Sequence, residues 1–594
     1  MGWRYNGSCI ITAIMFKKFS LLYLIFAFLI SCTPKTPQPA PVFTPVPPTA
    51  TDTSTPMPAA LWIHPGAPPA LRASLDGWTI PRAEDASLAT ARLDAVNATQ
   101  ADVAWIYALV APFPTVVDGV SSADILRAWQ GDLTGPFAGR PLWMSDSTLQ
   151  AFASVLGAPA AGSVRTAPAD QLLDAAWAEL PAWGIVPFEE LSPRWKVLSV
   201  DGQSPIHKNF DPSQYPLIVH FQFSGNLPKG VLLPPTNRDP SKMTTMILTG
   251  TTAMVDAMGV VMEYKGPTYP GKYIRDWTRE ADIMHVSNEV PFDKDCPFPN
   301  PGNKNLSILC SRPKYLDLLL DIGVDVVELT GEHFNNRGTA AMLSTLQTYR
   351  DHNLPYYGGG ANATDAKKPI TLEHNGNKFM FIGCNMKQNY RSALATDRMP
   401  GAAPCDFPYM TAQIQGYKAQ GYIPIVTFQD YEYYSPEPRI GQIFDFRTMA
   451  DAGAALVSGS QGHYPQVMEF YNGVFIHYAL GNLFYTQMSY TLPDGSVTDR
   501  TRWEFLDRHV FYDGKYISTE LLTAMLEDYS TPYPMTLAQR VHFLNLYFSY
   551  SGWMGITPTP PPLPTITLTP ITYPTFAGAP LWPPSPASTV TPGP

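Results

Sequence analysis

The stretch LDIGVDVVEL at residues 320–329, followed by Gly331-Glu332-His333, decides the fold of this 594-residue chain. Residues 315–322 have the pattern of a helix that ends at Gly323. Residues 324–329 are mostly apolar and rich in valine, which predicts a buried strand. In α/β proteins, ligands bind in the crevice beyond the carboxyl ends of the strands, so the polar loop after this strand marks a candidate site.

Four more polar loops follow strand-like segments in the same way. They are Gly250-Thr251, Ser287-Asn288-Glu289, Phe428-Gln429-Asp430 and Gly459-Ser460-Gln461-Gly462-His463.

Between these loops, strand and helix patterns alternate. We expect strands at 246–248, 423–428 and 454–457 and a helix at 440–449. Asn-Gly turns predict two hairpins, at 369–383 and 467–477. Alternating units with two hairpins indicate a mixed sheet or paired sheets flanked by helices.

The composition limits the class of protein and its domain organisation. A net charge of -10 without a long basic run argues against a nucleic-acid partner, because phosphate binding needs clustered Lys and Arg. Proline-rich, threonine-rich ends predict a disordered tether at 33–59 and a disordered tail at 556–594. We expect a smaller α/β domain at 60–230 and a larger domain at 243–555.

Residues 1–32 have the pattern of a secretory signal peptide. Lys17-Lys18 precede an apolar run, and Leu29-Ile30-Ser31-Cys32 resembles the lipobox of bacterial lipoproteins. The resemblance implies a lipid on Cys32, which would anchor an extracytoplasmic protein to the bacterial cell membrane. The alternative is an uncleaved anchor, although the apolar run is shorter than the ~20 residues that a spanning helix needs.

Four further cysteines indicate disulfides in an exported protein: Cys296, Cys310, Cys384 and Cys405. Three pairings are possible, and proximity in sequence favours Cys296–Cys310 and Cys384–Cys405. A zinc site is the rival interpretation, but C-x-x-C spacing is absent.

The first domain has its own strand and helix patterns. Residues 103–110 predict a buried strand, and Ser121 with Asp124 predicts a capped helix start. Short motifs at 112–115 and 201–205 resemble one lobe of a periplasmic solute-binding protein. An α/β spacer without a ligand is the alternative.

The larger region resembles the bacterial capsule-synthesis CapA family, of the poly-γ-glutamate synthesis type. The resemblance rests on residues 320–329, on YYGGGAN at 356–362, and on EFYNG at 469–473 continuing to YALGN at 478–482. It covers roughly 243–490 and implies a calcineurin-like metallophosphoesterase fold. The expected architecture is a four-layer α/β/β/α sandwich, in which two sheets pack face to face with helices outside.

The candidate site departs from the family pattern. Gly250-Thr251 stands where the family has Gly-Asp, so a bridging carboxylate is lost. Gln429-Asp430 replaces a His-Trp loop, while Glu289 and His333 are kept and Glu332 replaces an Asn. Of the Gly-His-His-Pro-His loop, only the last histidine, His463, remains.

These residues define the expected chemistry. We expect Glu289, Glu332, His333 and His463 to hold one divalent ion (Mn, Zn or Fe), or none, and His333, Glu332 and Gln429 to act in catalysis. A two-metal site would need more donors than this set provides. Glu289 could instead cap a helix or pair with Arg275 or Arg279.

Two functions of different classes follow from this site. The first is a surface lipoprotein acting in capsule, poly-γ-glutamate or other envelope-polymer synthesis or export, with a metal-dependent hydrolase site and the polymer or its synthesis machinery as partner. The second is a non-catalytic module that binds an anionic polymer or a small solute in the same crevice. A purely structural lipoprotein is the third interpretation.

Overall fold

The computed structural model describes residues 59–98, 101–225, 233–301, 309–387 and 393–553. The predicted signal peptide, Cys32, nearly all of the tether and the tail lie outside these residues. By their contacts, the described residues group into one compact unit. Across the described ranges, no helix is both long and apolar enough to cross a membrane.

Within the described residues, the first sheet is built from nine strands and is accompanied by four helices. The strands are β1 (Leu61–Ile63), β2 (Ala91–Val96), β3 (Val103–Pro112), β4 (Gly119–Val120), β5 (Leu142–Met144), β6 (Val164–Thr166), β7 (Trp183–Pro187), β8 (Trp195–Val200) and β9 (Ile218–Ser224). The helices are α1 (Pro69–Ala73), α2 (Ser122–Trp129), α3 (Asp146–Leu156) and α4 (Ala169–Ala178).

The main path of this sheet is β1-β2-β9-β3-β7-β5-β6, with β8 pairing β3 and β4. Ser121 and Asp124 form the predicted capping box at the start of α2. The α/β character expected here is confirmed. The likeness to a solute-binding lobe and the 60–230 boundary stay predictions.

The remaining strands supply the sheets that position the candidate site. They are β10 (Met243–Thr249), β11 (Thr251–Thr252), β12 (Ile283–Asn288), β13 (Val326–Glu328), β14 (Tyr356–Tyr357), β15 (Gly359–Gly360), β16 (Ile370–His374), β17 (Asn377–Asn385), β18 (Gly401–Ala402), β19 (Ile423–Gln429), β20 (Leu456–Ser460), β21 (Met468–Tyr471), β22 (Val474–His477), β23 (Asn482–Phe484), β24 (Tyr490–Thr491), β25 (Val497–Thr498), β26 (Trp503–Tyr512), β27 (Lys515–Glu527) and β28 (Thr531–Pro534). The helices are α5 (Asp256–Lys265), α6 (Arg275–Glu280), α7 (Leu316–Asp321), α8 (Gly338–Asp351), α9 (Ala363–Ala366), α10 (Phe407–Lys418), α11 (Ile440–Ala452) and α12 (Leu537–Tyr550).

Two large sheets form in this region. One has the order β14-β13-β12-β10-β26-β27-β28, with β11 joining β12 to β23. The other has the order β16-β17-β19-β20-β22-β21 and contains both predicted Asn-Gly hairpins.

Alternation along the strands creates the layers, because successive side chains in a strand point to opposite faces. Met246 packs in a core shared with Phe381 and Ile425 of the other sheet. Its neighbour Ile247 packs instead with helices α5, α7 and α8. On the far side, Val426 packs with α10 and α11. The four-layer α/β/β/α sandwich is therefore confirmed.

Several boundaries differ from the sequence expectations. The strand predicted at 454–457 begins at Leu456, because α11 runs on to Ala452 and is ended by Gly453 at φ +109°. The strand predicted at 246–248 extends over the whole of β10. Both disulfides favoured by sequence proximity, Cys296–Cys310 and Cys384–Cys405, are present.

The first sheet contacts the sandwich through an aromatic anchor and ion pairs. Phe113, at the end of β3, packs within the core between the two large sheets. Lys196 Nζ and Arg540 Nη2 lie 2.7 Å and 2.8 Å from Asp118 Oδ1. A cavity of about 300 Å³ lies at this junction, and its lining shares no residue with the candidate site. Its charged lining residues are occupied in ion pairs with protein groups.

Candidate functional site

The carboxyl ends of neighbouring parallel strands bring the predicted loops together. In one sheet the parallel register aligns Asn385, Gln429 and Ser460. In the other it aligns Ser287 with Glu328. All of these side chains are buried. The loops that follow these strands therefore meet in one crevice.

Gly331 allows two of these loops to touch. A Cβ atom at this position would lie 2.6 Å from both the Cα and the carbonyl oxygen of Glu289. Only glycine permits this approach of one backbone to another. The contact places Glu332 and His333 directly beside Glu289.

Glu289, Glu332 and His333 form the candidate metal centre. Their ligand atoms all lie within 4.8 Å of one another. His333 Nε2 is 3.6 Å from Glu332 Oε1, and Nδ1 is 2.8 Å from the side-chain carboxamide of Asn336. The Asn336 atom at this contact is Nδ2, and a flip of its carboxamide brings the oxygen to Nδ1, so that Nδ1 donates and Nε2 keeps its lone pair for a metal.

Two carboxamides hold the carboxylates in place. Gln429 Nε2 donates to Glu289 Oε1 at 3.3 Å, and Gln461 Nε2 donates to Glu332 Oε1 at 3.0 Å. Gln429 also donates to the Gln461 oxygen. The backbone of Gln461 is fixed in turn by its N–H, which donates to Thr251 Oγ1 at 3.0 Å. Thr251, where the resemblance led us to expect a lost carboxylate, thus anchors the loop after β20.

The cluster also contains an ammonium group. Lys387 Nζ lies 2.6 Å from Glu332 Oε2 and 3.9 Å from Glu432 Oε1. Burial, and then the negative charge of Glu289, raise the pKa of Glu332, while Lys387 opposes the rise. Burial also tends to raise the pKa of Glu432, but His463 and Lys387 bring it below its ordinary value.

The donor set fits one divalent ion. Carboxylate oxygens and an imidazole nitrogen bind Mn, Zn or Fe at about 2.0–2.2 Å, so ligands on opposite sides of an ion are about 4.2 Å apart. The observed separations, up to 4.8 Å, need shifts of only a few tenths of an ångström (~0.3 Å per ligand) to reach that geometry.

His463 lies at the edge of this centre rather than within it. Its Nδ1 is 2.7 Å from Asn482 Oδ1, and its Nε2 is 3.9 Å from Glu289 Oε2. Gln461 and His463 both have positive φ angles, +73° and +43°. Such backbone angles are unfavourable for non-glycine residues and cluster at functional sites. The strain supports a functional role for this loop, and the role of His463 as a ligand stays a prediction.

Other candidates lie outside the cluster. Asp430 turns away and pairs with Arg439 at the start of α11. Ser460 Oγ is buried against Glu328 Oε1 and the Phe428 carbonyl oxygen.

The suggestion that Glu289 pairs with Arg275 or Arg279 is wrong. Both guanidinium groups contact Asp321 instead.

A buried polar layer lies at the ends of the strands. Glu328 ends β13 with its side chain buried, and burial raises its pKa to about 7 although Thr330 donates a hydrogen bond to it. His285 Nε2 lies 3.7 Å from Glu328 Oε2, and burial lowers the pKa of His285 to about 3. A carboxyl group with a raised pKa beside a candidate site is a feature of functional regions.

Sequence reasoning gave no role to Lys387, Gln461 or Glu432. Gln461 and Glu432 lie in or beside loops that were recognised. Lys387 follows β17, whose end at Asn385 pairs in register with Gln429. Its signal is its place after a buried strand, the same place that the other polar loops of the site occupy.

Comparison with known proteins agrees with the resemblance seen in the sequence. Residues 245–487 match the family described as bacterial capsule synthesis protein PGA_cap. The PGA biosynthesis protein CapA of Bacillus subtilis (strain 168) is 26% identical over 230 residues, which cover 38% of this chain and 59% of that protein. The capsule biosynthesis protein CapA of Bacillus anthracis is 24% identical over 259 residues, covering 43% and 62%.

The chain therefore spans about 60% of the length of these curated relatives. Among solved structures, NAD nucleotidase of Haemophilus influenzae aligns with a TM-score of 0.30 and 9% identity, over 51% of this chain and 62% of that one. Over residues 245–487, the chain is therefore similar to the family described as bacterial capsule synthesis protein PGA_cap.

Proposed function

We propose that this chain acts in capsule, poly-γ-glutamate or other envelope-polymer synthesis or export, as a metal-dependent hydrolase with a reduced set of metal ligands. The observation that carries the proposal is the convergence of Glu289, Glu332 and His333 at one crevice. The substrate linkage we favour is a phosphoester, with amide and glycosyl linkages as further classes.

A divalent ion bound here would polarise the substrate and lower the pKa of a bound water molecule. Glu289 and Glu332 would hold the ion through their carboxylates. His333 is at the rim, with its side chain 14% exposed, so it can reach both the ion and the substrate. Gln429 orients Glu289 through its side-chain amide.

The proposed location is outside the cytoplasm, with a lipid on Cys32 anchoring the chain to the membrane. The lipobox-like sequence before Cys32 supports this location. We propose the envelope polymer or its synthesis machinery as partner, and no nucleic acid, because the net charge is -10.

The direct test is the His333→Ala variant of the full chain. We expect metal-dependent phosphoester hydrolysis to be lost while the thermal midpoint stays close to that of the wild type. The matched control is His352→Ala, since His352 is exposed at the C-terminal end of α8, and the 14 residues of that helix separate it from the loop of His333. Normal turnover in His333→Ala would contradict the proposed role.

A non-catalytic binding module is the second candidate function. It is favoured by the neutral amides of Gln429 and Gln461, which lie among the carboxylates where further metal ligands would be needed. This function predicts saturable binding of an anionic polymer or small solute by the metal-free protein, without product formation. Hydrolysis that requires added metal would exclude it.

A further inference from the structure

Lys387 forms a buried ion pair with Glu332 beside the candidate metal centre. Its side chain is only 8% exposed, and its ammonium lies 2.6 Å from Glu332 Oε2. The backbone N–H of Lys387 donates to Asn385 Oδ1 at 2.7 Å, which fixes the residue at the end of β17. The ammonium is therefore held within the candidate metal centre by the fold of its own strand.

The two oxygens of Glu332 face different partners. Oε1 lies 3.6 Å from His333 Nε2 and accepts from Gln461, on the side of the candidate metal centre. Oε2 faces Lys387. In a two-metal site a bridging carboxylate gives one oxygen to each ion, and the ions are about 3.5–4 Å apart. Here the second oxygen already has a cationic partner.

The charges point to the same conclusion. Glu289, Glu332 and Glu432 bring three negative charges, and Lys387 cancels one of them. Asp430 does not enter this count, because Arg439 neutralises it. With His463 neutral, the charge that remains is −2, which a single divalent cation balances. A second divalent ion would leave excess positive charge in a largely buried site, which is costly.

We propose that Lys387 is a resident cation that takes the place of a second divalent ion, so that the site holds one ion between Glu289, Glu332 and His333. This inference rests on the proposed metal-dependent function. It makes Lys387 a positioning residue that sets the metal count and the affinity of the centre.

The test is a calorimetric titration of the metal-free full chain with MnCl2. Elemental analysis after gel filtration then gives the number of Mn²⁺ ions bound per chain. We expect the wild type to bind one Mn²⁺ per chain. Lys387→Met should bind its first Mn²⁺ at least ~10-fold more tightly, because a repelling charge is removed. Lys387→Glu should bind a second Mn²⁺, because it replaces a cation by a further ligand.

Lys367→Met is the matched control. Lys367 Nζ lies 3.0 Å from Asp406 Oδ2, in an ion pair outside the centre, and this variant should bind Mn²⁺ as the wild type does. Two ions in the wild type, or an unchanged affinity in folded Lys387→Met, would overturn the inference and leave the proposed function standing. The wild-type stoichiometry decides the question even where a variant fails to fold. Absence of Mn²⁺ binding in every protein would overturn the inference and the proposed metal-dependent function together.

Discussion

The side-chain amide of Gln429 lies 3.3 Å from the carboxylate of Glu289, and this contact joins the ends of two facing sheets across the candidate site. Gln429 ends β19 in one sheet, and Glu289 follows β12 in the other. A neutral donor at this point allows Glu289 and Glu332 to remain close without a further carboxylate directly against Glu289. The stability of the metal-free site therefore depends on the amide.

Gln429→Glu should destabilise the metal-free protein and increase its response to metal. A carboxylate about 3.3 Å from that of Glu289 would repel it, and a divalent ion would relieve the repulsion. We expect a lower melting temperature than the wild type without metal and a larger upward shift on adding MnCl2, measured by differential scanning calorimetry.

The control for this change is Gln415→Glu, on the exposed side of α10. It adds the same charge away from the site and should leave both melting temperatures within error of the wild type. An equal metal-induced shift in Gln429→Glu and the wild type would show that Gln429 does not face a metal centre.

Acid should weaken the junction between the first sheet and the sandwich through Glu520. Burial alone would raise the pKa of Glu520, but Arg508, followed by His207, lowers it to about 2 from its ordinary 4.5. Because the folded-state pKa lies below the unfolded value, the stabilisation is complete above about pH 5 and is lost as the pH falls toward 2.

Glu520→Gln removes this pH-dependent contribution. Its free energy of unfolding should be lower than that of the wild type by about 3 kcal/mol at pH 7 and by about 1.5 kcal/mol at pH 3. Urea unfolding monitored by tryptophan fluorescence measures both values. The control is Glu373→Gln, because the side chain of Glu373 is exposed on β16. A difference that stays constant between pH 7 and pH 3 would refute the role of Glu520.

Phe113 should contribute strongly to the same junction. Its ring lies 5.2 Å from that of Phe470, 5.3 Å from Phe475 and 5.6 Å from Trp553, and the residue is 2% exposed. Phe113→Ala leaves a cavity in this aromatic cluster and should lower the free energy of unfolding by about 3–5 kcal/mol.

Phe444→Ala is the comparison for Phe113→Ala, because Phe444 is 71% exposed on α11. Its effect on unfolding in urea should be small, within about 0.5 kcal/mol. If both variants lose the same amount of stability, Phe113 is not the anchor between the first sheet and the sandwich.

The sequence predicts the layers well because burial follows the period of each element. The strand around Val326 forms as expected, and Met342, Leu346 and Tyr349 are buried on one face of α8, since apolar residues recur at the spacing that each element buries. The loop Gly331-Glu332-His333 also lies where predicted, because the end of a buried parallel strand must reach the crevice.

The contacts within the site were less predictable because they depend on tertiary structure. The predicted hairpin ended at residue 383, whereas β17 continues to Asn385 and delivers Lys387 to the crevice. Asp430 follows Gln429 directly, yet Arg439 at the start of α11 draws its carboxylate away. The local periodicity of the sequence indicates neither the Lys387–Glu332 pair nor the Arg439–Asp430 pair.

Metal content of the purified full chain tests the central claim most directly. The protein would be made in an oxidising compartment without chelators and measured by elemental analysis beside Glu289→Gln, His333→Ala and the control His352→Ala. We expect one bound divalent ion per chain in the wild type and the control, and a loss of that ion in both site variants. A wild type that remains metal-free in excess manganese, zinc and iron, or site variants that retain the ion, would contradict the assignment of Glu289, Glu332 and His333 as a metal centre.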